Sequence, residues 1–394
     1  MTRVLLASLL LGGCIDFDRL KETPGNLAMT LPTTDLAAAN DASEDMASVC
    51  VVPQVSGTWR AVKLSAGTQS ANDIAIERER ERAYVSVGDA TLWAVDLDDP
   101  ALARRMITAD TEELKGIPIA HLAVAGPGKL ALAGSPETGA GYTLRELVIG
   151  TDESGAPVDQ FIPGGFAFHG DGTVVQGVAA FNGIAYVGLA NAINGTTIEV
   201  RGVISAFALP VGLNPSSRHE LQTNANPYAV QGTSFGVFIG EVGNIEFTDD
   251  GTSWTSLPVP VSNDLDVPRA IASADVGGTK RTWMISTHQV CSIKGDPKQP
   301  SGWTQASYTC GVVPAFSGTN DAISSVATSP CAPDFGVIVG TSGTLLVSTD
   351  GGKTWTADSP TVATNTSPFL KKVVITRHGR IAVISSDGYL YVRP

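Results

Sequence analysis

Two short segments of this chain match each other, and both have the composition of a tight turn. Residues 348–355 read Ser-Thr-Asp-Gly-Gly-Lys-Thr-Trp, and residues 247–254 read Phe-Thr-Asp-Asp-Gly-Thr-Ser-Trp. In this alignment Asp350 and Asp249 accept hydrogen bonds from the backbone of their own turn. Gly352 and Gly251 allow positive φ, and the hydroxyls of Ser348, Thr354 and Ser253 lock the turn. Trp355 and Trp254 cap it with a large apolar plate. A chain that repeats such a turn is built from repeated hairpins.

The repeat extends beyond the turns. Residues 322–358 divide into a small, apolar first strand, a second ending in Gly, a third leading into the turn, and a fourth at the Trp. Residues 228–257 and 269–308 follow the same order, and Trp254, Trp303 and Trp355 stand 49 and 52 residues apart. Weaker copies precede them, and residues 372–394 stop after three strands. Ser56-Gly57-Thr58-Trp59 resembles the segment around Trp303, so an N-terminal strand is expected to complete the last unit and leave no open edge. Forty-two Gly, 23 Pro and only 16% charged residues suit many short strands broken by turns.

The S-x-D-x-G-x-T-W signature resembles the Asp-box of BNR-type β-propellers, a group that includes sialidases, the receptor domains of sortilins and the photosystem II assembly factor family. The resemblance implies an all-β propeller over residues 51–394, and a period of about 49 residues gives seven four-stranded blades, with six or eight as the alternatives. It also implies that the Asp-box residues serve folding at the blade periphery and take no part in catalysis.

The N-terminus resembles a bacterial lipoprotein signal. Arg3 precedes an apolar run over residues 4–11, and Leu11-Gly12-Gly13-Cys14 has the form of a lipobox, with residues 1–13 removed and Cys14 lipidated. Ile15 at the next position leans towards the outer membrane. Residues 14–50 read as a flexible acidic tether, because Thr, Ala, Asp and Pro dominate and no periodicity persists. The net charge of −13 and the lack of a basic run argue against nucleic acid.

Without Cys14, four cysteines remain, an even number suited to two disulfides in an oxidising compartment. Successive strands run in opposite directions, which places Cys291 and Cys310 on one face of blade 5. Cys50 and Cys331 fall together on the other face, beside the closure. The expected pairs are therefore Cys291–Cys310 and Cys50–Cys331, because a Cys310–Cys331 bridge would have to cross the sheet.

Catalytic signatures are scarce. The five histidines show no metal-ligand spacing, no G-x-S-x-G elbow occurs, and the glycines punctuate hairpins without opening helices. A sialidase would need three arginines, a Tyr–Glu pair and an acidic residue. Nothing like its R-I-P segment follows Trp59; Val267-Pro268-Arg269 is the nearest string, and no partnership between Tyr308 and Glu246 can be argued. The run from Glu77 to Arg82 reads as a solvated turn of blade 1. The expectation is a monomeric, non-enzymatic binding or scaffold module of the cell envelope, with no cofactor or metal and a protein or carbohydrate ligand. A sialidase-like hydrolase or polysaccharide lyase is the alternative.

Overall fold

The computed structural model describes residues 50–394 outside short loop segments, the longest being 108–118, 135–141, 260–266 and 361–367. The expected signal over 1–13, Cys14 and the tether up to residue 49 lie outside the described residues. The described residues form seven antiparallel sheets, each a path of four hydrogen-bonded strands, and blade 3 carries one further two-residue strand. The fold is an all-β, seven-bladed propeller.

The first strand of each blade is innermost. These strands are Ala71–Glu77, His121–Gly126, Gly172–Phe181, Ala229–Gly232, Ala270–Val276, Ile323–Ser329 and Leu370–Ile375. Each packs against the first strands of both neighbouring blades, and that of blade 7 meets that of blade 1. The second strands are covered on both faces: Val237–Glu241 and Ile381–Ser385 are buried at every position. That double burial is why they read as apolar runs without alternation. Outer strands such as Arg60–Lys63 and Thr356–Ala357 remain largely exposed. Close approach sets one residue type outright: a Cβ at Gly340 would stand 2.1 Å from the Ala322 carbonyl oxygen.

The ring closes as the repeat implies. Arg60–Lys63 pairs antiparallel with Tyr389–Arg393, from Arg60 opposite Val392 to Lys63 opposite Tyr389. Arg393, only 1% exposed, fixes the seam. It donates to the Gln54 and Val55 carbonyls at 2.6 and 3.2 Å and pairs with Asp358 of blade 6, while its guanidinium lies 5.6 Å from the Trp59 ring centre. Trp59 Nε1 donates to the Asp358 carbonyl at 3.1 Å. Burial pushes the Arg393 pKa down to about 10.

The two disulfides join Cys50 to Cys331 and Cys291 to Cys310, with Cα separations of 5.5 and 4.1 Å. Cys291 and Cys310 are direct cross-strand partners in the middle of their strands and do not stand at the strand ends. Cys331 lies in the first hairpin of blade 6. Val51 N–H donates to the Arg377 carbonyl at 2.9 Å, so the segment after Cys50 is held by blade 7.

The reading of residues 77–82 as a solvated turn needs correction. The hairpin is present, but Glu77 and Glu81 are 0% and 3% exposed. Glu77 accepts from the Tyr84 hydroxyl and from Gly128 N–H, both at 2.7 Å. Glu81 pairs with Arg380 at 3.1 Å. The two carboxylates tie blade 1 to blades 2 and 7. Such burial is tolerable because charged partners and backbone N–H groups replace water.

Candidate functional site

Four of the seven first strands carry a one-residue slip in their first half, and that of blade 2 carries one near its end. The extra residues of those four are Asn72 in blade 1, Gln176 in blade 3, Ser324 in blade 6 and Lys371 in blade 7. A bulge bends the strand and re-aims a side chain, and all four of these residues line the central channel.

Three of them also bond to the next blade. Asn72 Nδ2 lies 3.4 Å from the Ile119 carbonyl, Ser324 Oγ donates to the Leu370 carbonyl at 2.5 Å, and Lys371 Nζ donates to the Ala71 carbonyl at 2.9 Å. The following residue accepts in return. Asp73 Oδ2 takes Leu122 N–H at 3.0 Å, and Ser325 Oγ takes Val373 N–H at 3.3 Å. This polar ring therefore staples blades 6, 7, 1 and 2 to one another at the channel mouth.

Asp73 is its electrostatic centre. Only 4% exposed, it also accepts Ile74 N–H at 2.8 Å and Lys372 Nζ at 2.5 Å, and His121 Nδ1 lies 3.8 Å from Oδ2. Burial pushes the His121 pKa below its ordinary 6.5, more strongly than Asp73 pulls it up. Burial likewise lowers Lys371, partly offset by Asp73. Lys371 Nζ makes a second bond to Ser70 Oγ at 2.9 Å.

The channel holds a cavity of about 620 Å³, lined by first-strand residues of all seven blades. Its charged lining consists of Asp73, Arg269, Lys371 and Lys372, with His121 beside them. Arg269 is exposed, and its guanidinium makes no hydrogen bond or ion pair among the described residues. Among the described residues no group of three or more His, Cys, Asp and Glu is placed to hold a metal.

The Asp-boxes lie elsewhere, in the turns between the third and fourth strands of blades 6 and 4. In blade 6 the alignment holds. Asp350 Oδ1 accepts Lys353 and Thr354 N–H, both at 3.0 Å, its Oδ2 accepts the Thr354 hydroxyl at 2.6 Å, and Ser348 Oγ accepts Gly352 N–H at 2.9 Å. Burial pushes Asp350 up, but these bonds carry its pKa down to about 2.

In blade 4 the turn aspartate is Asp250, not Asp249. Asp250 Oδ1 accepts Thr252 and Ser253 N–H, both at 2.7 Å, and Thr248 Oγ1 accepts Gly251 N–H at 2.9 Å. The turn is one residue shorter than in blade 6, with Thr248 in the role of Ser348. Asp249 is left to pair with Lys298. Backbone bonds from Ser253 and Thr252 hold the Asp250 carboxyl far below the usual range. Gly251 and Gly352 take φ of +75° and +90°, as the motif requires.

Trp59, Trp254, Trp303 and Trp355 each precede an outer strand and lie outside it. Trp355 meets Trp283 edge-on at 6.0 Å, and Trp254 stacks on His219 at 4.3 Å. His219 Nε2 pairs with Glu246, 1% exposed, so the partner of Glu246 is a histidine of blade 3. Tyr308 donates instead to the Pro258 carbonyl at 2.6 Å. The sequence reading missed His121, Asp73, Lys371 and Lys372, because a bulge has no composition of its own. The only available signal was the recurrence of polar pairs at the strand starts: Asn72-Asp73, Ser324-Ser325 and Lys371-Lys372.

No family model matches this chain, and no curated protein does. Solved structures do match at the level of fold. The structure described as YCF48 bound to D1 peptide superposes with a TM-score of 0.56 at 14% identity, covering 87% of this chain and 97% of that one. A streptogramin B lyase gives 0.57 at 13% identity, with 85% and 97% covered. The WD40 propeller domain of Doa1 gives 0.54 at 12% identity, with 86% and 97% covered. These neighbours share the architecture and differ in what they do.

Proposed function

We propose that the protein is a non-enzymatic binding or scaffold propeller, lipid-anchored through Cys14 and working at a bacterial outer membrane. The observation that carries the reading is the channel mouth. Its most buried carboxylate, Asp73, is committed to Lys372, to His121 and to two backbone N–H groups, so it serves the ring and is not poised for proton transfer. The channel offers a concave, polar surface of a size suited to one small molecule or a few residues of a peptide. The fold neighbour whose structure holds a D1 peptide supports a role in protein recognition.

The hydrolase alternative asks for three arginines and a Tyr–Glu pair around the channel. The described lining contributes Arg269 and Tyr228 and no glutamate, which favours binding over that chemistry. Capture of an envelope partner by the immobilised protein, with no turnover of a fluorogenic sialoside panel, is the expected outcome. Turnover that requires channel residues would reverse the assignment. For the anchor, Cys14→Ser is expected to abolish acyl labelling and leave the precursor uncleaved; normal processing of that variant would remove the lipoprotein assignment.

A further inference from the structure

We propose that the channel mouth holds a carboxylate-bearing ligand, gripped by Arg269 and Lys371 within the ring of bulged residues. The proposal deepens the binding reading above and rests on it. The chain carries a net charge of −13, yet its channel lining sets three cations against one carboxylate. That carboxylate, Asp73, is saturated by its contacts, and Lys372 is the cation it neutralises. Lys371 is in a different position. Both of its acceptors among the described residues, Ser70 Oγ and the Ala71 carbonyl, are neutral, and Asp73 offsets its burial only in part. Arg269 has no partner at all for its guanidinium among the described residues.

Two cations with no ion-pair partner among the described residues thus share one concavity in an acidic molecule. Low-dielectric walls concentrate their field in the cleft and draw anions towards it. Gln176 lies on the same lining and supplies a neutral donor. No helix N-terminus opens onto the cavity among the described residues. The guanidinium fork matches the two oxygens of a carboxylate, and the ammonium adds a point charge beside it. Such a carboxylate is supplied either by a free polycarboxylic acid or by the C-terminus of a peptide.

The test is calorimetric titration of the disulfide-intact protein with citrate at low and raised salt, beside Arg269→Gln and Lys371→Met. Saturable binding is expected, weakened by salt and at least tenfold by either substitution, the loss of one charge-assisted contact being worth roughly 10- to 100-fold. Arg269 is exposed and its guanidinium has no partner among the described residues, so its variant keeps the fold, and an unchanged melting temperature verifies this. A second arm compares a hexapeptide pool bearing free C-termini with the same pool amidated. Preference for the free acids, lost in Arg269→Gln, assigns peptide termini; citrate binding without that preference assigns free acids. Absence of both effects overturns the proposal, as does binding that survives both substitutions. Capture of an envelope partner equally by wild type and Arg269→Gln would leave the binding module standing and remove the carboxylate site.

Discussion

Asp249 and Asp250 are neighbours in sequence with separate work to do, and single substitutions can tell them apart. Asp250→Ala leaves Thr252 and Ser253 N–H without their acceptor and is expected to cost about 1–2 kcal/mol. Asp249→Ala breaks only an exposed ion pair and should leave the urea midpoint nearly unchanged. The sequence showed that a turn of this kind was present. It did not show which aspartate closes it, because an eight-residue template hides a turn shortened by one. Titration follows the same geometry. Asp350 is depressed from 3.8 to about 2, so its contribution is present above its ordinary pKa and is lost as pH falls through about 2. Asp350→Asn should therefore flatten the acid limb of stability between pH 4 and 2. His121 works in the same direction at higher pH. Its folded-state pKa lies below 6.5, so stability present above 6.5 erodes as pH falls from there, and His121→Gln should remove that erosion in urea melts.

At the scale of elements, the N-terminal strand carries the clearest expectation. Deleting residues 51–62 removes Arg60, Ala61 and Val62 of the closing strand, uncovers the edge of Tyr389–Arg393 and strips Arg393 of its two carbonyl acceptors. Aggregation on size-exclusion chromatography is expected, whereas deleting residues 15–45 should leave the melting temperature unchanged. Equal behaviour of the two deletions would contradict this account of the seam. Removing the Cys50–Cys331 bridge with Cys331→Ser frees a loop of 281 residues and is expected to cost up to roughly 5 kcal/mol by loop-closure entropy, read as a lower melting temperature. Strands and turns were legible because Gly, Asp and Trp recur at blade-sized spacing. Inter-blade carboxylates were not. Glu77 and Glu81 sit in an alternating charged run that resembles solvated surface, and their partners Gly128 and Arg380 come from other blades. The channel ring was hidden for the same reason, since its bonds join residues about one blade apart.

At the largest scale the propeller is a ring whose first and last strands meet in one sheet. Arg60 lies opposite Val392, so almost the entire chain separates the partners that hold the circle shut. The seam is accordingly an order-of-assembly device. A polypeptide emerging from its N-terminus presents Arg60–Lys63 first, and that strand has no partner until Tyr389–Arg393 follows. For all of that interval the other six blades can dock side by side, but the last sheet lacks the strand that joins Arg60–Lys63 to it. Any chain cut short before residue 389 therefore carries an orphan strand at one end and a raw edge at the other. That pair of loose ends sets an unfinished chain apart from a finished one.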